Sequence, residues 1–596
     1  MNAIVDKTPV ASIAHIATAW LADFEAALGR RAYAQAAAAF APNGYWRDLL
    51  AFTWDIRTRQ GPAAIETGLA ETCEATGPNG FRLEQDPMPG QLGPFGATID
   101  AFFRFDTQVA EGRGFMRLVA DPDEPGTWRA LTLLTTMQGL KAFPDAPFVR
   151  RRRESMRVPE RGTENWLDRR RATVEFRDAD PEVVVIGAGQ AGLTLAARLG
   201  QLDVGTLVVD KMERIGDNWR KRYHSLTLHN EICTNHLPYM PFPDTWPVYI
   251  PKDMLADWLE FYAKSMELNV WTETTFLGAT RDDDGHWTVR LRRADGSERT
   301  MRPRHVVMAI GVSGIAKMPT FDGADDFEGA IVHSSGPTDD LDVAGKSALV
   351  VGSGTSGHDI AQDLAMRGAD VTMLQRSSTT VVSLEPGSVR AYALYRQNEG
   401  VRPIADTDLI TGSIPYDLLR QLHGPLSRQI AQIDKELLDG LRDAGFMLDN
   451  GEDDTGFFMK LVRYLGGYYI NVGASDMIID GRIKLKTGTG VERLTRKSVR
   501  FADGSSLDAD LIVMATGYRP LQDAVRAMFG DAVAERVGPI WGLGPDGELR
   551  NMWSRTAQDG FFVVGGTLTM CRLYSRFTAL LIKASLEKLI APKATQ

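Results

Sequence analysis

The stretch VVVIGAGQAG (183–192) decides the fold, and ALVVGSGTSG (348–357) repeats its pattern further along the chain. Each is a short apolar run followed by three glycines with the spacing GxGxxG. The glycines are Gly187, Gly189 and Gly192 in the first copy and Gly352, Gly354 and Gly357 in the second. This pattern predicts a buried strand, a tight turn and a helix N-terminus, where the glycines let the backbone approach a pyrophosphate. Two dinucleotide-binding units are therefore expected.

The strands that follow the two glycine turns end in opposite charges. TLVVD (206–210) ends in Asp210, and VTMLQR (371–376) ends in Arg376. A carboxylate accepts hydrogen bonds from both ribose hydroxyls and repels a 2′-phosphate, whereas a guanidinium attracts that phosphate. The first unit is therefore predicted to bind FAD and the second NADPH, which makes the chain a two-nucleotide flavoenzyme.

The composition is that of a large globular protein, with 44% hydrophobic and 24% charged residues among 596. The net charge of −10 argues against a nucleic-acid partner. No apolar run is long enough to span a membrane, and no secretory signal is visible. Three scattered cysteines without a CxxC pair predict a cytoplasmic protein and exclude a dithiol reductase. No metal site is predicted, and a homo-oligomeric state is left open.

The predicted elements divide the chain into five segments. Alternating strands and helices fit the α/β class, with two Rossmann-type dinucleotide-binding domains and the NADPH domain inserted in the FAD domain. An α+β cone domain and an arginine-rich connector precede them. The segments are the N-terminal domain (1–148), the basic linker (149–178), the first part of the FAD domain (179–335), the NADPH domain with a helical insertion near 388–465 (336–509), and the second part of the FAD domain (510–596).

The N-terminal domain carries no nucleotide motif. Apolar residues at helical spacing from Ile13 to Leu28 predict a helix. Three strands are predicted at 97–105, 114–120 and 127–137. The arrangement resembles the SnoaL-like cone fold, which often encloses a pocket that Trp46, Arg47 and Asp48 could line. We favour the alternative, in which the domain packs on the enzyme and Asp48 serves as a structural cap or ion pair.

Three further motifs resemble those of the class B flavin-dependent monooxygenases. FEGAIVHSS (327–335) matches their linker signature FxGxxxH, which ends at His333. LIVMATGYRP (511–520) contains the ATGY-type motif at the domain crossing where these proteins hinge. DNWRKRYHSLTLHNEICTNHLPYMPFP (217–243) is similar to the part that lies beside the flavin, and we call it the flavin-side segment. The resemblance covers about residues 180–596.

This resemblance implies a reaction and a set of site residues. NADPH reduces FAD, and the reduced flavin takes up O2 as a flavin hydroperoxide that oxygenates a small organic substrate. Besides the glycines, Asp210 and Arg376, the residues expected to bind cofactors are Gln190, Lys211, Trp219, Arg220, Thr355, Ser377, Thr516 and Gly517. The catalytic candidates are His229, Asn230 and His333.

Alternatives accompany the candidates. His333 is favoured as a hinge histidine that is hydrogen-bonded to backbone. His229 either contacts the flavin edge or the nicotinamide, or is a satisfied structural histidine. Asn235 and His236 are further candidates to line the site, and Asp359 is expected to be a helix-face residue.

Departures from the motifs bear on the substrate. Baeyer–Villiger members place Trp four residues after the linker histidine, where this chain has Pro337, and their Lys-Arg-Pro is missing before Gly467. Ester formation is therefore disfavoured. From Leu226 to His229 the chain reads Leu-Thr-Leu-His, which resembles the Leu-any-Leu-His of the auxin-forming plant enzymes. Animal amine and sulfide oxygenases carry Asn at the position of His229. The segment that starts at Arg376 is also similar to the plant enzymes, and a helix is expected after it.

The sequence therefore predicts an NADPH-dependent FAD monooxygenase. Aryl-pyruvate-type oxidative decarboxylation is preferred to N- or S-oxygenation. The alternatives are an NADPH oxidase or flavin reductase, a Baeyer–Villiger monooxygenase and, more remotely, a flavin-binding redox sensor. The expected partners are a small-molecule substrate and O2, with no nucleic acid and no membrane.

Overall fold

The computed structural model describes residues 10–144, 164–336 and 341–593. Residues 149–163 of the predicted basic linker, and Pro337, lie outside these ranges. Within them, an N-terminal unit precedes two nucleotide units, and a set of helices is inserted in the second of these.

The N-terminal unit packs three helices against one seven-stranded sheet. The helices are α1 (Val10–Gly29), α2 (Tyr33–Ala38) and α3 (Gly61–Thr76), and the strands are β1 (Phe40–Leu49), β2 (Ile56–Gln60), β3 (Asn79–Leu83), β4 (Met88–Gln91), β5 (Ala97–Asp106), β6 (Ala110–Ala120) and β7 (Trp128–Leu140). The sheet order is β2-β1-β7-β6-β5-β3, with β4 beside β5. Only the β1–β7 pair is parallel. The expected helix and strands are present, and membership of the SnoaL-like group stays a prediction.

The apolar stripe of α1 explains how this unit holds together. Trp20 and Phe24 stack with ring centroids 5.1 Å apart, and Phe24 meets Phe40 and Phe81 edge-on. Such aromatic pairs add to the stabilisation that burial already provides. The resulting core is continuous with that of the first nucleotide unit, so the two units share one packed interior.

The remaining elements belong to the connector, the nucleotide units and the helical insertion. The helices are α4 (Trp166–Glu175), α5 (Gln190–Gln201), α6 (Asp217–Arg220), α7 (Ile232–Asn235), α8 (Lys252–Ser265), α9 (Thr355–Met366), α10 (Ala393–Asn398), α11 (Ile404–Gly412), α12 (Tyr416–Ile433), α13 (Lys435–Asp443), α14 (Gly456–Tyr464), α15 (Ala474–Ile479), α16 (Leu521–Phe529), α17 (Asp531–Val537) and α18 (Leu568–Leu586). The strands are β8 (Val183–Ile186), β9 (Thr206–Val209), β10 (Val270–Trp271), β11 (Thr275–Arg281), β12 (Trp287–Arg292), β13 (Glu298–Met301), β14 (His305–Met308), β15 (Ala330–His333), β16 (Ser347–Val351), β17 (Asp370–Gln375), β18 (Thr380–Ser383), β19 (Tyr468–Asn471), β20 (Ile483–Thr487), β21 (Val491–Leu494), β22 (Ser498–Phe501), β23 (Ser506–Asp508), β24 (Leu511–Met514) and β25 (Phe561–Val563).

Each nucleotide unit is built on a five-stranded parallel sheet. The first has the order β10-β9-β8-β14-β25 and the second β15-β24-β16-β17-β20. All four residues of β8 are buried, as expected for a central parallel strand that is covered on both faces. In both sheets the strand that leads into the glycine turn is central. The nucleotide sites therefore lie at equivalent edges of the two sheets.

The second sheet extends beyond the predicted NADPH segment, 336–509. It includes β15 and β24, which the sequence analysis placed in the two parts of the FAD domain. The difference arises because each crossing motif contains its own apolar strand. These strands pair within the second sheet, and the chain crosses to the other unit only after β24 and before β15.

The expected helix after Arg376 is wrong. A short loop leads instead into β18, which pairs in parallel with β19. The β-branched run around Val381 and Val382 favours a strand over a helix. The helices α10–α14 form the predicted helical insertion.

Candidate functional site

The first glycine turn is too crowded for side chains at two positions. Gly187 has φ +113°, and a Cβ there would lie 2.4 Å from Ala309 O. A Cβ on Gly192 would lie 2.0 Å from Gly187 O. Because both contacts are to backbone, they cannot be relieved by a rotamer change. Glycine is therefore required for the strand, turn and helix to pack this closely.

The middle glycine has a different reason to lack a side chain. Gly189 is extended, with φ −78°, and caps α5 without any side-chain hydrogen bond to the helix N-terminus. A Cβ there would meet only Asn218 Nδ2, at 3.3 Å. The backbone N–H groups at the start of α5 are thus left for a ligand, and an anion is favoured there.

Asp210 is held beside this turn by backbone. Its carboxylate accepts hydrogen bonds from Ala188 N at 2.7 Å and Met212 N at 2.8 Å. Each oxygen keeps acceptor capacity for a ribose hydroxyl. The neighbouring Lys211 is exposed.

The other predicted cofactor-binding residues of the first unit differ in how many contacts they already make within the protein. Trp219 Nε1 donates to Gln190 Oε1 at 3.3 Å, which ties the flavin-side segment to the start of α5. Arg220 is instead committed to Asp217, Asp257 and Glu260. These carboxylates neutralise its charge, so the structure gives Arg220 a local structural role and leaves its predicted cofactor contact without support.

The second turn repeats the first. Gly352 has φ +121°, and a Cβ there would lie 2.4 Å from Ala515 O, whereas one on Gly357 would lie 2.1 Å from Gly352 O. Gly354 again has ordinary dihedral angles, and the nearest atom to its Cβ would be 4.0 Å away. Thr355 Oγ1 donates to Tyr468 O at 2.9 Å.

Arg376 and Ser377 follow β17 at the position equivalent to Asp210. Both side chains are exposed. Neither makes a hydrogen bond or ion pair with any residue in the described ranges. A free guanidinium beside an open helix N-terminus suits the 2′-phosphate of NADPH. The two turns and their opposite charges thus fit FAD and NADPH.

The flavin-side segment contacts the second unit through a buried carboxylate. The Tyr223 hydroxyl donates to Asp359 Oδ2 at 2.6 Å, and His229 Nε2 lies 3.7 Å from the same oxygen. Asp359 Oδ1 is buried and has no hydrogen-bond partner among the residues described. Burial raises the pKa of Asp359, and His229 and Tyr223 oppose this rise. Asp359, expected to be a plain helix-face residue, is therefore an inter-unit contact.

The neighbouring polar residues are mostly engaged in structure. Asn235 Nδ2 donates to the carbonyls of Asn230 and Glu231. His236 Nδ1 accepts from Phe242 N at 3.0 Å. The His229 side chain is 14% exposed and approaches Asp359 at 3.7 Å.

His333 joins the two crossings between units. Its Nε2 donates to Gly517 O at 3.0 Å, while Nδ1 accepts from Ser335 N at 3.1 Å. Burial lowers the pKa of His333, which favours the neutral ring. Thr516 Oγ1 donates to Lys317 O in the same region. This geometry matches the hinge role, and a catalytic role for His333 has no support in it.

The three candidates of the N-terminal unit point in different directions. Asp48 accepts from Phe52 N, Thr53 and Thr135, and so caps a loop inside its own unit. Trp46 Nε1 donates to Thr135. Arg47 alone leaves the unit and reaches the C-terminal part of the chain.

One buried ion pair next to the flavin-side segment could not be predicted from the sequence. Arg572 on α18 binds Asp408 on α11 with two hydrogen bonds of 2.8 and 2.7 Å. It also donates to the carbonyls of Thr234 and His236, both at 2.8 Å. No local motif marks these residues, because the pair is 164 positions apart.

Other classes of site receive no support from the described ranges. Within them, no group of three or more His, Cys, Asp or Glu side chains could hold a metal ion. The three cysteines are buried and free. No helix in the same ranges is long and apolar enough to cross a membrane.

The fold and the two turns define a flavoprotein oxidoreductase with separate units for FAD and NADPH. A family described as pyridine nucleotide-disulphide oxidoreductase matches residues 184–409. Indole-3-pyruvate monooxygenase YUCCA1 of Oryza sativa subsp. japonica is 32% identical over 351 residues, which are 57% of this chain and 77% of that protein. Probable indole-3-pyruvate monooxygenase YUCCA10 of Arabidopsis thaliana is 30% identical over 342 residues, 56% of this chain and 81% of that protein.

Solved structures show the same fold. An oxidized steroid monooxygenase bound to NADP aligns with a TM-score of 0.50 and 19% identity, covering 69% of this chain and 86% of that one. A complex of OTEMO with FAD and NADP aligns with a TM-score of 0.50 and 17% identity, covering 69% and 85%. The chain belongs to the class B flavin-dependent monooxygenases and is an NADPH-dependent oxidoreductase that uses FAD.

Proposed function

We propose that the enzyme oxygenates an aryl-substituted 2-oxo acid by oxidative decarboxylation. The observation that carries this proposal is the match to several indole-3-pyruvate monooxygenases over most of their length. The run from Leu226 to His229, typical of the auxin-forming enzymes, supports it. In the balanced reaction, the 2-oxo acid, O2, NADPH and a proton give the shortened carboxylic acid, CO2, NADP⁺ and water.

The protein's own residues bind and orient the cofactors. FAD and NADPH supply the electron transfer and oxygen activation, and the protein supplies their placement. The N–H groups at the starts of α5 and α9 would hold the pyrophosphates. Asp210 would accept from the ribose of FAD, and Arg376 with Ser377 would hold the 2′-phosphate of NADPH.

Between the two turns, the contact at Asp359 places His229 at the junction of the units. His229 Nε2 lies 3.7 Å from the Asp359 carboxylate, and we propose the flavin edge or the nicotinamide as the further contact of this ring. Tyr223 and Asp359 come from different units and are both buried, so water is excluded from their contact. A dry junction favours productive oxygenation over loss of hydrogen peroxide.

Product analysis tests the proposal. NADPH added under anaerobic conditions should bleach the flavin. When ¹⁸O2 and phenylpyruvate are then added, the products should be CO2 and phenylacetate that carries one ¹⁸O atom. Thioanisole and N,N-dimethylaniline serve as sulfide and amine probes. If the enzyme oxygenates one of these probes but not phenylpyruvate, its substrate class is an amine or a sulfide and the proposed 2-oxo acid is wrong. Stoichiometric hydrogen peroxide with every probe would identify an NADPH oxidase.

The remaining expectations extend this proposal. Three buried free cysteines suit a reducing compartment, and we therefore place the enzyme in the cytoplasm. A homo-oligomeric state stays a prediction.

A further inference from the structure

The N-terminal unit meets the rest of the chain through buried, charge-assisted contacts. Arg47 on β1 forms two 2.7 Å hydrogen bonds with the carboxylate of Glu548. Each of these side chains is 4% exposed. Thr58 on β2 donates to the same carboxylate at 2.6 Å. A buried bidentate pair fixes orientation as well as distance. The N-terminal unit is therefore held at a defined angle to the rest of the chain, unlike a domain on a flexible tether.

Helix α11 lies where this unit meets the helical insertion. Arg47 donates to Gly412 O, and Arg113 on β6 binds Asp406, both at 2.7 Å. Arg117, also on β6, donates to Ser413 Oγ at 2.7 Å. Strands β1 and β6 thus hold both the start and the end of α11.

The sequence of α11 makes this support necessary. IADTDLITG contains two aspartates, two threonines, two isoleucines and a terminal glycine. These residues have modest or low helix propensity, and a nine-residue helix is marginal in water. Most of its side chains are nevertheless buried. Its conformation and position are therefore imposed by the elements around it.

The buried ion pair transmits this position to the flavin-side segment. Asp408 on α11 binds Arg572 and accepts from the Tyr395 hydroxyl at 2.8 Å. Arg572 in turn donates to the carbonyls of Thr234 and His236. If α11 shifts, Arg572 loses its buried counter-ion and its fixed geometry.

We infer that Arg572 and Asp408 are positioning residues for the flavin-side segment, and that the N-terminal unit is a brace that fixes them through α11. The path runs from β6 through Asp406 and Asp408 to Arg572, and ends at the carbonyls on either side of Asn235. His229 and Asn230 precede those carbonyls in the same segment. The family match begins at residue 184, so the brace is an addition to the matched core. The inference rests on the proposed function only in assigning the flavin-side segment a role in the reaction.

Hydrogen–deuterium exchange of the FAD-loaded enzyme, without substrate, tests the inference. The amides of Ile232, Thr234 and Phe242 are hydrogen-bonded in the folded segment. Asp406→Asn breaks the link to Arg113 and should raise their exchange rates about tenfold or more. Ser413→Ala, a milder change at the other end of α11, should raise them in the same sense.

A matched control distinguishes bracing from general destabilisation. Arg31 pairs with Glu74 on the exposed surface of the same unit, and Arg31→Ala should leave exchange of these amides unchanged. Asp408→Asn should loosen the segment at least as much as Asp406→Asn, and it should also change the visible circular dichroism of the bound flavin. If Asp406→Asn and Ser413→Ala both speed exchange only in α11 and β6, and not in the flavin-side segment, the inference is wrong. Because the readout does not use the reaction, failure of the proposed substrate class leaves it unaffected.

Discussion

The Tyr223 hydroxyl donates a 2.6 Å hydrogen bond to Asp359 Oδ2, and the two residues belong to different nucleotide units. Tyr223 lies on the flavin-side segment, and Asp359 lies on α9, the helix that starts at the second glycine turn. The bond therefore couples the position of one cofactor site to that of the other. His229, at 3.7 Å from the same oxygen, shares this coupling.

Tyr223→Phe should destabilise the protein more at high pH than at low pH. Burial raises the pKa of Asp359, and the tyrosine hydrogen bond opposes the rise. An acid whose folded pKa is raised destabilises the folded state as pH increases through that pKa. Loss of a donor to a buried carboxylate costs ~1–3 kcal/mol, and this cost shrinks once the carboxyl is protonated.

Denaturant unfolding of the parent and the variant over a pH series that starts in the usual titration range of an aspartate and extends upward measures the difference. Tyr464→Phe is the control, because the Tyr464 hydroxyl binds Glu452 on the exposed surface. A loss of stability that is the same at every pH of the series would contradict the prediction.

How much of this site could be predicted from sequence depends on how local each feature is. The glycine turns, Asp210 and Arg376 follow from patterns within a few dozen residues, because strand, turn and helix are consecutive. Tyr223 and Asp359 are 136 positions apart, and nothing in either local sequence indicates the other. Such pairs are set by the docking of units, which no periodicity encodes.

The sequence also leaves open the direction in which a buried side chain points. Trp46, Arg47 and Asp48 are adjacent, and all three are buried. Alternation along β1 sends Trp46 and Asp48 to the interior of their own unit and Arg47 to the opposite face. The alternative that we favoured, a unit packed on the enzyme with Asp48 as a cap, agrees with these contacts, but it could not name Glu548 as the partner of Arg47.

Arg376→Ala should weaken NADPH binding far more than NADH binding. The arginine is exposed and free among the described residues, and its expected partner is the 2′-phosphate that NADH lacks. A charge-assisted contact is worth ~1.5–3 kcal/mol, which corresponds to roughly a tenfold to hundredfold rise in KM for NADPH. Steady-state flavin reduction with each cofactor measures this. Lys346→Ala, which removes an exposed charge from the same unit, is the control. Similar losses for both cofactors would exclude Arg376 as the phosphate ligand.

Gly187→Ala should give protein without bound FAD. The added Cβ would lie 2.4 Å from Ala309 O, at a residue with φ +113°, so the turn must move. Gly200→Ala lies on the helix that follows the same turn and meets no atom within 4 Å. It should keep its flavin and gain slightly in stability, because alanine favours helix over glycine. The visible spectra of the purified proteins decide, and a yellow Gly187→Ala protein would contradict the assignment.

Asp48→Asn should remove a pH dependence of stability. Burial raises the pKa of Asp48 to about 6, well above the usual range of an aspartate, although hydrogen bonds from Thr135 and Thr53 oppose the rise. Ionisation of Asp48 between about pH 4 and pH 6 therefore costs the folded state on the order of 3 kcal/mol. The variant, measured against the parent by denaturant unfolding, should gain in relative stability across this window. A constant difference between the two proteins would show that Asp48 ionises normally.

Gly354→Ala should block NADPH binding while leaving the fold and FAD intact. Gly354 has φ −81°, which alanine adopts freely, and the nearest atom to the added Cβ would be 4.0 Å away. Nothing in the protein therefore resists the methyl group, and the space that it takes is the space through which a pyrophosphate reaches the start of α9.

Gly357→Ala is the contrasting variant, because its Cβ would lie 2.1 Å from Gly352 O and should disturb folding as well. Thermal unfolding, the flavin spectrum and the rate of anaerobic flavin reduction by NADPH separate the two effects. A Gly354→Ala protein that is yellow, as stable as the parent and slow to be reduced is the expected result. Normal reduction by NADPH would show that the dinucleotide does not bind over this turn.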